Sequence, residues 1–70
     1  MDSFIIGGIV REERKAQGLR QQELAAASGV GVRFIVDLEA GKPTVQLGKA
    51  LKVLATIGCS LSVVKPSNIR

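Results

Sequence analysis

From Gln21 to Glu39 the chain reads QQELAAASGVGVRFIVDLE, and its apolar positions fall into two short helical stripes with a break between them. Leu24 and Ala27 share one face of the first helix, Ser28-Gly29 interrupts the pattern, and a second stripe begins at Ile35 and Leu38. Stripes this close along the chain must pack on each other. Ala25 stands where the first helix crosses the second, and its lone methyl group lets the two backbones approach. Gly29 supplies the positive φ that a short interhelical turn commonly needs.

The flanking segments extend this helical reading. Asp2 or Ser3 caps a first helix over 3–17, with Ile6, Val10 and Ile9 inward and Arg11, Glu12, Glu13 and Lys15 outward. Gly18 ends it, Leu19 anchors the linker, and Arg20 stands where a capping Ser, Thr or Asn is expected, a departure that costs about 1 kcal/mol relative to a good cap. The next two helices span 21–27 and 32–39. In Gly41-Lys42-Pro43-Thr44 a stop precedes a start: Gly41 terminates one helix, Pro43 cannot extend it, and Thr44 caps a final helix over 45–57. There Leu47, Ala50, Leu51, Val53, Leu54 and Ile57 recur at helical spacing, with Lys49 and Lys52 left to solvent.

After Gly58 the period changes to two. Cys59, Leu61 and Val63 fall on one face, Ser60, Ser62 and Val64 on the other, and Pro66 breaks the run, which predicts a strand over 59–64 and a frayed tail over 66–70. No other segment reads as a strand. A solitary strand exposes unpaired backbone, so this one is expected to pair with the same strand of a second copy, giving a closed two-fold dimer. The expected fold is therefore mainly α: one domain over 1–70, with four helices and a C-terminal β-strand pairing across a homodimer.

Composition narrows the partners. Seventy residues make one domain with a modest core, and with two Phe, no Trp and no Tyr that core is built from Leu, Ile, Val and Ala. Ten Lys and Arg against six Asp and Glu leave a net charge of +4, which suits a polyanionic partner. With one cysteine and no histidine, an intrachain disulfide is impossible, a zinc site is not expected, and no cofactor is implied. The run Phe4 to Val10 is too short to span a bilayer, and its charges follow it, opposite to a secretory signal; it reads as the buried side of the first helix. A cytoplasmic protein is expected, on the nucleoid when bound to DNA. No histidine, no nucleophile with a base beside it and no phosphate-cradling loop argue for an enzyme, so no catalytic residue is assigned.

Two helices joined by a glycine turn are the layout of a DNA-reading helix-turn-helix. A recognition helix enters the major groove by its N-terminal end, so Val32, Arg33, Val36 and Asp37 are the candidates for base contact. Arg33 is the strongest, because its forked donors match guanine O6 and N7 and can supply about 1–3 kcal/mol of discrimination. Val32 can touch a thymine methyl. Asp37 has three readings: accepting from cytosine N4, repelling phosphate, or holding Arg33 four residues earlier, the last being favoured. At the start of the second helix Gln21, with Gln22 beside it, can donate to a phosphate, flanked by Arg20 and Lys42. Arg14 lies near the inward edge of the first helix and Glu39 ends the third, so the two are expected to form a structural salt bridge that orients the recognition helix.

The stretch REERKAQGLRQQELAAASGVGVRFIVDLEAGKP, Arg11 to Pro43, resembles the lambda-repressor-like helix-turn-helix regulators, also called the Cro or xenobiotic-response-element family. The continuation TVQLGKALKVLATIGCSLSVV is similar to the HipB-type antitoxins, whose C-terminal strands pair between subunits. The resemblance implies phosphate contacts at Gln21 and Lys42, base-facing positions at Val32, Arg33 and Asp37, and a structural pair at Arg14 and Glu39. It also implies a palindromic operator and a second partner, a HipA-type serine/threonine kinase toxin. The chain departs from the family at Arg20, where Thr or Asn is usual, and at Gly31, where a polar residue often starts the recognition helix. The expected function is a dimeric, sequence-specific repressor on double-stranded DNA with an inverted-repeat operator, the antitoxin and autorepressor of a HipA-type module. The alternatives are a stand-alone or prophage regulator, or a toxin inhibitor that binds DNA only weakly.

Overall fold

A computed structural model describes residues 2–66 and contains four helices: α1 Ser3–Ala16, α2 Gln21–Ser28, α3 Val32–Glu39 and α4 Leu47–Thr56. Residues 67–70, most of the expected tail, lie outside the described residues. α3 packs against both α1 and α2, and α2 packs in turn against α4. Between them sits an aliphatic core of Val10, Leu24, Ala25, Ile35, Leu38, Ala50, Val53, Leu54 and Ile57. No helix among the described residues is long and apolar enough to cross a membrane.

Asp2 caps α1, its carboxylate accepting from the Ile5 amide at 2.9 Å. α2 begins differently. Arg20 at the cap has no acceptor to offer, so only the reverse half of a capping box forms, with Glu23 Oε1 accepting from the Arg20 amide at 2.7 Å. Arg20→Ser completes that box and is expected to raise the free energy of unfolding by about 0.5–1 kcal/mol, read from the urea midpoint at unchanged slope. No gain, or a loss, would mean that the Arg20 side chain has a stabilising contact of its own.

Between α2 and α3 the chain turns at Gly29, whose φ of 73° lies in the left-handed region, and Val30 N donates to Ala25 O at 3.0 Å to close the end of α2. The turn is tight because a glycine stands there. α1 meets α3 by another use of glycine. A Cβ at Gly7 would run into the Leu38 carbonyl oxygen and stand 3.0 Å from that of Glu39, so the two backbones touch where a side chain would hold them apart. Glycine inside a helix costs about 1 kcal/mol relative to alanine. Here that cost is offset by direct seating of α1 on the C-terminal end of α3.

Several expectations are corrected. The run Phe4 to Val10 is not a buried side: a helix hides one face only, so Gly7 and Val10 are buried and Ile6 half-buried, while Phe4, Ile5 and Ile9 are exposed. In α2 it is Ser28, not Ala27, that joins Leu24 inside, and its hydroxyl has no hydrogen-bond partner. α4 starts at Leu47 with Gln46 at its cap, two residues later than 45 and without Thr44 as the cap. The reason is Val45, which packs against the core from the turn instead of extending the helix. Along α4 the buried stripe is Ala50, Val53, Leu54 and Ile57, leaving Leu47 and Leu51 exposed.

The C-terminal segment, expected as a strand over 59–64, carries no strand ladder in the single chain. A ladder needs a second strand, and none lies among the described residues. Cys59 is already engaged: its amide donates to Leu54 O at 2.8 Å, closing the end of α4, and its side chain packs against the core. Residues Ser60 to Val64 are exposed.

Candidate nucleic-acid interface

α3 is held in place by a buried polar network at its C-terminal end. Arg14, on the inner face of α1, donates through Nε to Glu39 Oε2 at 2.7 Å and through Nη2 to Glu39 Oε1 at 3.1 Å. Its remaining Nη1 donates to the Leu19 carbonyl at 2.8 Å. The side chains are 10% and 4% exposed, so this pair works in a medium far less polar than water. The Glu39 hydrogen bond, set against the opposing effect of burial and reinforced by the carboxylate charge, holds the Arg14 guanidinium above its ordinary pKa. Because the folded state raises the Arg14 pKa, the contribution of this group is fully present below the ordinary arginine range and is lost as pH rises through the folded value.

Gln21 belongs to the same network. Its amide donates to Glu39 Oε1 at 3.1 Å, so one carboxylate oxygen joins α1, the start of α2 and the end of α3. The network opens on a cleft lined by Arg11, Arg14, Gln21, Glu39 and Ala40. Arg11, read from the sequence only as a solvent-side residue, thus brings a further cation beside Gln21. Helical spacing offered a signal: Arg11 is one turn before Arg14. Arg20 and Gln22, on either side of Gln21, are both exposed at the same end of α2.

On the outward face of α3, Arg33 is 84% exposed, with Val32 and Val36 exposed beside it. Asp37 is different. Its Oδ1 lies 3.3 Å from Arg33 Nε and its Oδ2 lies 3.6 Å from Lys42 Nζ, so its carboxylate faces two cations of its own chain. Lys42 was read from sequence as a separate phosphate-side residue; the structure brings it to Asp37, because Lys42 N donates to Asp37 O at 3.0 Å as α3 ends. Phe34, between these outward positions, packs against the core, and Lys49 Nζ stands 6.0 Å from its ring centre. The surface thus presents the exposed guanidinium of Arg33, backed by Asp37, between two valines, with the N-terminus of α2 and its cations alongside.

Comparison with known proteins agrees with this architecture. Residues 10–64 match the helix-turn-helix family HTH_3. The chain is 62% identical over 65 residues to an "uncharacterized HTH-type transcriptional regulator", y4mF, of Sinorhizobium fredii (strain NBRC 101917 / NGR234), covering 93% of this chain and 86% of that protein. It is also 26% identical over its full 70 residues to the "ImmF control region 10 kDa protein" of Bacillus phage phi105, covering 78% of the phage protein. The two helices joined at Gly29, the buried Arg14 and Glu39 pair and the extent of the match lead to one conclusion: the chain belongs to the helix-turn-helix family of lambda-repressor-like domains.

Proposed function

We propose that the protein is a sequence-specific DNA-binding repressor acting as a two-fold dimer on an inverted-repeat operator, and that it serves as the antitoxin of a HipA-type kinase. The observation that carries DNA recognition is the exposed guanidinium of Arg33 on a helix whose other end is pinned by Arg14, Glu39 and Gln21. Val32, Arg33 and Val36 face the bases; Arg20, Gln21, Gln22 and Lys42 line the phosphates. For the dimer, the support is the exposed apolar segment after α4, where Leu61, Val63 and Val64 are 42%, 84% and 78% exposed and Leu61 shares a groove with Ile6, Ile9 and Leu54. Since the Cys59 amide is committed to α4, the pairing strand runs from Ser60 to Val64. Two recognition helices so related enter successive major grooves about 34–36 Å apart.

The test is a footprint on the DNA upstream of the gene, followed by binding at several salt concentrations. If Arg20 and Lys42 of each protomer neutralise one phosphate apiece, log K falls against log salt with a slope of about −3.6. A flat dependence would overturn the proposal. The antitoxin role rests on the likeness of the C-terminal segment to HipB-type proteins, and co-purification of a kinase from the native host tests it. A second reading, a stand-alone regulator of phage type, is favoured by the likeness to the phage control-region protein. It predicts operator binding with no kinase partner.

A further inference from the structure

We infer that Asp37 sets the specificity of the recognition helix without reading a base: it aims Arg33 and suppresses binding to DNA of the wrong sequence. This rests on the DNA-binding function proposed above. Asp37 is placed for the task by two elements at once. Arg33 comes from one turn earlier on α3 and approaches Oδ1 with Nε at 3.3 Å; Lys42 comes from the turn beyond α3 and approaches Oδ2 with Nζ at 3.6 Å. The main chain brings the second cation near, because Lys42 N donates a hydrogen bond to the Asp37 carbonyl at 3.0 Å. Asp37 itself is 22% exposed, against 84% for Arg33 and 54% for Lys42, so the carboxylate sits beneath the two cations that reach solvent.

With the Asp37 carboxylate beside Nε, the terminal amino groups of Arg33 form the outward fork, and these can engage guanine O6 and N7 end-on. The same carboxylate opposes the arginine's alternative use. An unrestrained arginine finds a phosphate on any duplex, and an anion four residues away on the same helix face makes that encounter less favourable. Lys42 is restrained by the same group, so one acidic residue lowers the sequence-independent attraction of two cations. The anion weakens binding to every sequence, but its aiming of Arg33 is useful only where a guanine is present.

Asp37→Asn keeps the shape and removes the charge. Wild type, D37N, R33A and the double variant are compared on the footprinted operator and on a scrambled duplex of equal length, at two salt concentrations, with circular dichroism melts to check folding. D37N is expected to bind the scrambled duplex more tightly, with a salt slope steeper by about 1 per protomer. The ratio of operator to scrambled affinity is expected to fall about five-fold, the scale of an exposed ion pair counted once in each half of a dimer. In the R33A background the same change is expected to tighten both duplexes and leave their ratio where R33A put it. An unchanged or improved ratio in D37N, a fall that persists without Arg33, or a switch in the preferred base at one operator position would overturn the inference, the last by making Asp37 a base reader. A wild type indifferent to sequence overturns the proposed function together with this role. A discriminating wild type with an equally discriminating D37N overturns the role of Asp37 alone.

Discussion

Glu39→Ala is expected to remove about 3–5 kcal/mol of stability, a large share of what so small a domain has. The substitution removes the acceptor of three hydrogen bonds, two from Arg14 and one from Gln21. What remains is a guanidinium inside the domain with the Leu19 carbonyl as its one partner. Breaking a buried ion pair by deleting one member costs about 3–5 kcal/mol, because the surviving charge stays desolvated. A domain of this size has only about 4–10 kcal/mol in total. The midpoint of thermal unfolding should drop by roughly 12–40 °C, as follows from about 4–8 °C per kcal/mol. The double replacement Arg14→Met with Glu39→Leu is expected to recover most of the loss, since it removes both charges and fills the space. A melt of Glu39→Ala within a few degrees of the wild type would show that the network is not structural.

Arg33→Ala has the opposite profile. Stability is unchanged within about 0.5 kcal/mol, because the side chain is 84% exposed and its pairing with Asp37 lies at the surface. Operator preference collapses. Loss of one bidentate contact removes about 1–3 kcal/mol of discrimination per half-site, or about 5- to 150-fold, whereas affinity for scrambled DNA falls only by the share of one cation. Competition binding with operator and scrambled duplexes reads both numbers from one titration. If the two affinities fell in parallel, Arg33 would be a phosphate contact, and the reading of the operator would have to come from elsewhere on α3.

The core of the two-helix unit was legible because local spacing encodes it. Leu24, Ala25, Ile35 and Leu38 are all buried, and each sits where a short amphipathic helix of ordinary period puts its inner face. Spacing ceases to discriminate where a helix is apolar on most sides. In α4 the candidates Leu47, Ala50, Leu51, Val53, Leu54 and Ile57 cover more than one face, and which stripe turns inward is decided by the helices it packs against, α2 foremost, not by α4 itself. The Phe4 to Val10 run failed for the same reason. Ala27 and Ser28 show the limit of angular resolution: neighbours differ by about 100° around a helix, and the small hydroxyl was tolerated inside.

Contacts between residues distant in sequence followed a different rule. The opposite charges of Arg14 and Glu39 stand at ends of helices that must meet, so their pairing could be reasoned from charge. Nothing in the spacing announced that Gln21 would share the same carboxylate, or that Gly7 would receive the carbonyls of Leu38 and Glu39. Those depend on the final seating of α1. The segment after Gly58 alternates as a strand does, but alternation cannot supply the second strand, and it did not reveal that the Cys59 amide would be taken by Leu54.

The backbone contact at Gly7 has one more consequence, for how such a domain changes its target. α1 meets α3 through main-chain atoms at Leu38 and Glu39, and the buried side chains of α3 are Ile35 and Leu38, so Val32 and Arg33, at the opposite end of the helix, lie away from that contact. Exchange of exposed residues remote from packing usually alters stability by less than about 0.5 kcal/mol. If Val32 and Arg33 read bases as proposed, the lettering of the helix can be rewritten without reseating it, and new operators are reachable by single substitutions through intermediates that remain folded.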